Sequence, residues 1–426
     1  MATQRTNSLP PALLVDATWY GTLAAARNLS KHGVSITLAC DAFVAPARFS
    51  RHVTQTVSCP SSKNAIRLLA WLRSFGKEHP GHVLYPTSDG VAWLISAHAE
   101  ELSRWYYLYS PPLESLVRLL DKARLVADAR AAGLDVPETL VPENDTEVEQ
   151  AGQRLGFPLF IKPRSQVFGV DLGKGVRVER ASELVGVWRT QRDTAQYSDK
   201  ILDLIPNLSL PLVQASCGTT ERIYTVDGFV NEKGDAYATL ACVKLLQRPR
   251  RSGAGIIFER AEIDPSIHDG LRRLFKRTGF YGVFDAEFIE SEGRKLLIDI
   301  NPRFYNHMAF EVDRGLHLPW LVYLGATGNR EALRDALDQS LAVTLGPRAY
   351  VHGIATTLML RAQALTQAMP AEDRLRWRRW IAENNGYVTD PTRSAEDPLP
   401  ALAEVVMELV SFAHHPRSYL RNLARS

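Results

Sequence analysis

The sequence predicts an α/β protein of more than one packed unit, and three observations carry that reading. Apolar runs near the N-terminus alternate with helical stretches in βαβ order, a two-stranded acidic hairpin occupies residues 281–303, and beyond about residue 330 the periodicity is that of helices. At 426 residues the chain exceeds what one ordinary core holds, so two or three units are expected.

The elements follow in order. Residues 12–16 (ALLVD) form an apolar strand, then a turn containing Gly21, a helical stretch (TLAAARNLSKHG) closed by Gly33, and a second strand, VSITLA, ending at Asp41. An acid about 20 residues past the first turn is what a dinucleotide site would have. The turn DATWYGT lacks GxGxxG, however, so a βαβ scaffold without nucleotide is the better reading. HVLYPTSDG is a strand running into a helix capped by Ser88 or Asp89. Residues 1–115 thus read as one small α/β domain. A helix then runs from near Asp121 to Gly133. FPLFIKPR (157–164) is an apolar strand carrying Lys162, and a charge inside such a run is costly unless paired. The stretch 165–178 holds Gly169, Gly173, Lys174 and Gly175 without a dense glycine run. Residues 210–228 contain a strand, then Gln214, Ala215, Ser216 and, beyond them, Glu221. Lys244, Arg248, Arg250 and Arg251 surround a glycine-containing turn, which is either a solvated basic face or a place to hold an anion. A helix at 266–279 leads into the hairpin, and one further helix is expected over 307–328. From 331 to 426 the chain reads as a helical extension, in which Trp377 and Trp380 bury against a core and the neighbouring arginines face outward.

The hairpin (YGVFDAEFIE-SEGR-KLLIDINPR) holds the most chemistry. By the period-2 rule Phe284, Ala286 and Phe288 point one way, with Leu296, Ile298 and Ile300. Asp285 and Glu287 point the other way, with Asp299 and Asn301, and Ser291-Glu292-Gly293-Arg294 makes the turn. Like charges across a strand pair repel, so three carboxylates and an amide on one face call for a cation, and Mg²⁺ takes this kind of oxygen set. The other reading of the same spacing is a solvated sheet face.

This hairpin resembles the metal-binding end of the ATP-grasp superfamily, which places an acid near the end of one strand and Asp/Glu-x-Asn-Pro-Arg on the next. Glu287, then Asp299, Asn301, Pro302 and Arg303 match it. Other parts follow in the family's order over residues 10–330. The resemblance implies an α+β ATP-grasp fold: an N-terminal Rossmann-like domain (1–115), an ATP-grasp domain (116–330) with a lid near 160–215, and the helical extension (331–426). Lys122, Lys162 and Lys174 would meet the triphosphate, with residues 165–175 as a mobile lid loop. Gln214, Ala215 and Ser216 would form the adenine hinge through their main chain, and Glu221 would bind ribose. Glu287, Asp299 and Asn301 would hold two Mg²⁺ ions, with Mn²⁺ able to stand in. Arg303 would pair with the transferring phosphoryl or the substrate carboxylate. The implied activity is that of a stand-alone, ADP-forming carboxylate–amine ligase working on small molecules through an acyl phosphate. A small-molecule kinase or a non-catalytic nucleotide-binding regulator are the alternatives, and family members are often homodimers.

Composition narrows the remaining classes. A net charge of +3 is too small to argue for nucleic acid. The segment MATQRTNSLPP has no apolar signal region and no run reaches membrane-spanning length. Cys40, Cys59, Cys217 and Cys242 lie far apart, as buried thiols of a cytoplasmic protein would.

Overall fold

The computed structural model describes residues 9–42, 44–167, 175–195, 197, 202–203, 205–217, 222–249, 253–341 and 346–424. They form two compact units, one made of Met1–Ser110 with Phe304–Ser426, the other of Pro111–Arg303.

In the first unit, β1 (Ala12–Val15), β2 (Ile36–Cys40), β3 (Gln55–Ser58), β4 (His82–Tyr85) and β5 (Tyr106–Leu108) make a parallel sheet ordered β3-β2-β1-β4-β5. Strands β1, β2 and β4 are buried along their whole length, which is why they read as unbroken apolar runs. The crossover helix Tyr20–Lys31 joins β1 to β2, and Gly33 follows it at φ +80°. Gly21, expected in the turn, lies instead in the first turn of this helix. A Cβ there would stand 2.4 Å from the carbonyl oxygen of Tyr305, so the residue is needed for close approach. Ser88 supplies the cap expected of Ser88 or Asp89, accepting from the Val91 amide at 3.4 Å.

Residues 307–328 form two helices, Met308–Asp313 and Leu318–Ala326, rather than one. Gly315 at φ +94° turns the chain between them, and the Leu316 amide folds back onto the Glu311 carbonyl. Helices Arg330–Leu341, Gly353–Leu365, Ala371–Glu383, Leu399–His414 and Pro416–Ala424 follow, with one short parallel pair, Ala349–Val351 and Val388–Thr389, among them. Trp377 is buried and Trp380 half-buried, and Arg376, Arg378 and Arg379 are exposed as expected. Asp397 ties this C-terminal stretch to the crossover helix Tyr20–Lys31 and to the loop at Ser50 and Arg51. Its buried carboxylate takes the Arg27 guanidinium at 2.9 Å, the Ser50 hydroxyl at 2.7 Å and the Arg51 amide at 2.9 Å.

The second unit has two sheets. A small antiparallel one, ordered β6-β9-β7-β8, uses β6 (Thr139–Leu140), β7 (Leu159–Lys162), β8 (Val176–Val178) and β9 (Leu212–Ala215). Helices Asp145–Leu155 and Ala181–Thr194 pack on it through Val148, Leu159, Ile161, Leu184, Trp188 and Val213. The larger run of antiparallel strands is ordered β14-β13-β10-β11-β12, from β10 (Ile223–Val230), β11 (Tyr237–Arg248), β12 (Ala254–Ala261), β13 (Gly282–Ser291) and β14 (Arg294–Asn301). Helix Pro265–Thr278 packs beside helix Lys122–Ala131, where Asp128 accepts from both Arg118 and Arg277.

No helix among the described residues is long and apolar enough to cross a membrane. None of the four cysteines is in a disulfide; Cys40, Cys59 and Cys242 are buried, whereas Cys217 is half-buried rather than enclosed.

Candidate active site

The site is built on the β13–β14 hairpin. Glu292 (φ +50°) and Gly293 (φ +75°) make its two-residue turn, both in the left-handed region. Asp285 pairs with Asn301 and Glu287 with Asp299, so the four polar side chains share one face as the alternation predicts. Beyond that point the register slips: Phe288 faces Leu297, and Ile298 is the extra residue of a bulge. The core face therefore carries Leu297 and Ile300, both 2% exposed, in place of the expected Leu296–Ile298–Ile300 series.

Cations already cover the acids. The Lys122 ammonium contacts the Asp299 carboxylate, and Lys244 reaches Glu287 at 2.5 Å. The expectation that these carboxylates repel one another until a metal arrives is thereby corrected: lysines from two other elements offset them. Lys244 is 2% exposed. Burial works against its charge, but the Glu287 carboxylate prevails and holds it above the ordinary lysine value. The Asn301 amide donates to Asp285 at 3.0 Å, and Arg303 donates to the Asn301 side-chain oxygen at 3.0 Å. Asn301 is thus oriented from both ends.

Lys122 opens helix Lys122–Ala131, capped by Asp121, whose carboxylate accepts from the Ala123 amide. That carboxylate is fully buried and also takes a two-point bond from Arg164, at 3.0 and 2.5 Å. The Lys122 amide in turn donates to the Arg164 carbonyl at 2.9 Å. This clamp fixes the helix start, with Lys122, against the end of β7, with Lys162. Lys162 is half-buried; burial, and then the nearby Lys122 charge, bring its pKa down to about 8 despite Asp299 and Glu287. Gly175 opens the next strand at φ +127°, where a Cβ would stand 2.8 Å from the Lys162 Cγ, so only glycine leaves the lysine stem in place.

Gln214 lies in β9 with a buried side chain that donates to Thr139 Oγ1 at 2.9 Å. The Ala215 amide donates to the Glu138 carbonyl at 2.8 Å. Ala215, Ser216 and Cys217, with the hairpin-turn residues Ser291 and Glu292, line a cavity of about 530 Å³. Lys174, Glu221, Gly169 and Gly173, and the arginines Arg250 and Arg251, lie outside the described residues.

Three residues of the site were not singled out from sequence: Asp121, Arg164 and Lys244. Asp121 showed only as a helix start and Arg164 as the end of KPR. Lys244 read as one of a basic run, whereas it sits inside β11, in register between Ile223 and Phe258.

No family model matches the chain. Among curated proteins it is similar to the D-aspartate ligase of Enterococcus faecium (strain Aus0004), 22% identical over 293 residues, which cover 65% of this chain and 66% of that protein. It is also similar to the D-alanine–D-alanine ligase of Pseudomonas putida (strain GB-1), 31% identical over 83 residues, 20% of this chain and 24% of that one. The chain thus spans less than two thirds of either relative. Among solved structures, the biotin carboxylase domain dimer of the Hydrogenobacter thermophilus 2-oxoglutarate carboxylase, in complex with MgADP, ADP and bicarbonate, superposes with a TM-score of 0.58 at 13% identity, covering 74% of this chain and 69% of that one. The chain therefore has the ATP-grasp fold, and the curated proteins it is similar to are ligases.

Proposed function

We propose that the protein is an ATP-dependent carboxylate–amine ligase that forms an amide or peptide bond and releases ADP and phosphate. The observation that carries this reading is the meeting of Lys122 and Lys244 with the acids Asp299 and Glu287, beside Lys162, Asn301 and Arg303, on one sheet face. Both named relatives are amino-acid ligases, which supports the reaction class. In the reaction, a substrate carboxylate oxygen attacks the γ-phosphorus of ATP and ADP leaves. An amine then attacks the acyl carbon, phosphate leaves, and the amine nitrogen loses a proton.

Lys122 and Lys162 would offset triphosphate charge, together with Lys174. The main chain of Gln214, Ala215 and Ser216 would hold adenine, and Glu221 the ribose. Because the Ala215 amide is engaged by Glu138, hydrogen bonding to the base falls to the chain beyond it. Glu287, Asp299 and Asn301 are hard oxygen donors on one face, and the Asp299 side chain is 36% exposed, so the set fits Mg²⁺. Two ions are proposed, with Mn²⁺ as substitute; when bound, such ions offset charge on the transferring phosphoryl group. Arg303, held by Asn301, would pair with that group or with the substrate carboxylate.

The test is an ADP-release screen of the purified protein against pooled D- and L-amino acids, with product mass measured. ADP release that requires both a carboxylate and an amine, with an amide as product, is expected. AMP and pyrophosphate as products, or ADP release indifferent to the amine, would overturn the reading.

A further inference from the structure

The C-terminal helices and the short strand pair beside them line an open cavity of about 590 Å³ that no part of the proposed ligase chemistry uses. Its volume lies in the range of small-molecule sites. Leu360, Ile381 and Val388 give its lining an apolar part. The lining also includes Arg361, Arg378 and Arg393 and the single carboxylate of Asp390, a local excess of positive charge.

The first turn of helix Gly353–Leu365 opens onto the same space. Helix starts favour negative charge, since their amides point outward. Asp390 takes the Gly353 amide at 3.1 Å, and its other oxygen accepts from the Thr392 and Arg393 amides at 3.0 and 2.9 Å. A Cβ at Gly353 would stand 2.8 Å from that carboxylate and 3.3 Å from the Arg393 guanidinium, so glycine lets both groups sit against the helix start. One turn in, Thr356 lines the cavity at 1% exposure, and its hydroxyl has no hydrogen-bond partner among the described residues. A threonine in a helix ordinarily bonds back to the preceding turn. A buried hydroxyl without a partner costs free energy that a bound acceptor would recover.

We propose that this cavity binds a small amphipathic anion, a molecule with one carboxylate or phosphate head and an apolar body. The head meets Arg361, Arg378 and the Thr356 hydroxyl, and the body lies on Leu360, Ile381 and Val388.

The test uses the full chain and calorimetric titration with octanoate and with phenyl phosphate, beside inorganic phosphate as the head alone. Saturable binding of octanoate or phenyl phosphate is expected, at a dissociation constant of about 1 mM or below, and tighter than inorganic phosphate; the stronger of the two identifies the head group. Arg361→Gln with Arg378→Gln should weaken it about tenfold or more, and Thr356→Val about threefold, with melting unchanged in the exposed arginine variants. Lys162→Met, in the other unit, should leave binding unchanged. Three results would overturn the proposal: no saturable binding of either amphiphile up to about 10 mM, equal affinity in the arginine variants, or loss of binding in Lys162→Met.

Discussion

Replacing Lys162 by Met tests the central charge arrangement most directly. Met keeps the stem that lies against Gly175 and removes the ammonium. In the folded chain the lysine pKa falls from 10.5 to about 8. At about 1.4 kcal/mol per pH unit this shift corresponds to about 3 kcal/mol against the charged form. Partial solvent access reduces the effect, and about 1–2 kcal/mol is the expected gain for Lys162→Met at pH 7. The sign follows from linkage. The folded value lies below the unfolded one, so between about 8 and 10.5 the unfolded chain holds the extra proton. Wild-type stability should therefore rise through that window, and the Met variant should lack the rise. Urea denaturation of the ligand-free protein at pH 7 and in the alkaline window reads both effects. ATP affinity should fall about tenfold or more, since a charge-assisted contact is lost. A variant less stable than wild type at pH 7, with a parallel pH curve, would refute the reasoning.

Glu287→Gln should abolish turnover and also destabilise the ligand-free protein by about 3 kcal/mol, because Lys244 stays buried without its partner. Adding Lys244→Met should restore most of that stability but no activity; urea midpoints and ADP release measure the two. Asp121→Asn should cost about 3 kcal/mol by leaving the Arg164 charge uncompensated, and should raise the KM for ATP by displacing Lys122; a variant as stable as wild type would show that the clamp is incidental. Gly21→Ala should lower stability by about 1–3 kcal/mol although alanine is the better helix former, since the added methyl meets the Tyr305 carbonyl; thermal melting checks it.

Local patterns made much of this legible. The polar face of the hairpin followed from strict alternation, and its turn from Ser-Glu-Gly-Arg. Lys162 stood out because a charge interrupts an apolar strand. The bulge at Ile298 left no such trace, since Leu296, Leu297 and Ile298 are equally apolar and only the register selects among them. Lys244 was hidden because one residue among basic neighbours does not disclose that its side chain turns inward to Glu287, 43 positions away. The Asp121–Arg164 clamp joins residues equally distant in sequence, and no local signal links them. What escaped the sequence is tertiary pairing of charges, in which each member looks ordinary until its partner is placed.

The first unit is made of two stretches separated by the whole of the second. Its early residues depend on others that emerge from the ribosome about 280 to 370 positions later: Gly21 awaits the Tyr305 backbone, and Arg27 and Ser50 await Asp397. In the intervening unit, β6 to β9 pair among themselves and so do β10 to β14, all within its own span, so during synthesis this part can form first while the N-terminal strands wait. Closing so long a loop is slow relative to local contacts. The parallel sheet is thus the last part of the chain to complete and the one most exposed to premature association, so shortening the protein from its C-terminal side would damage its N-terminal domain.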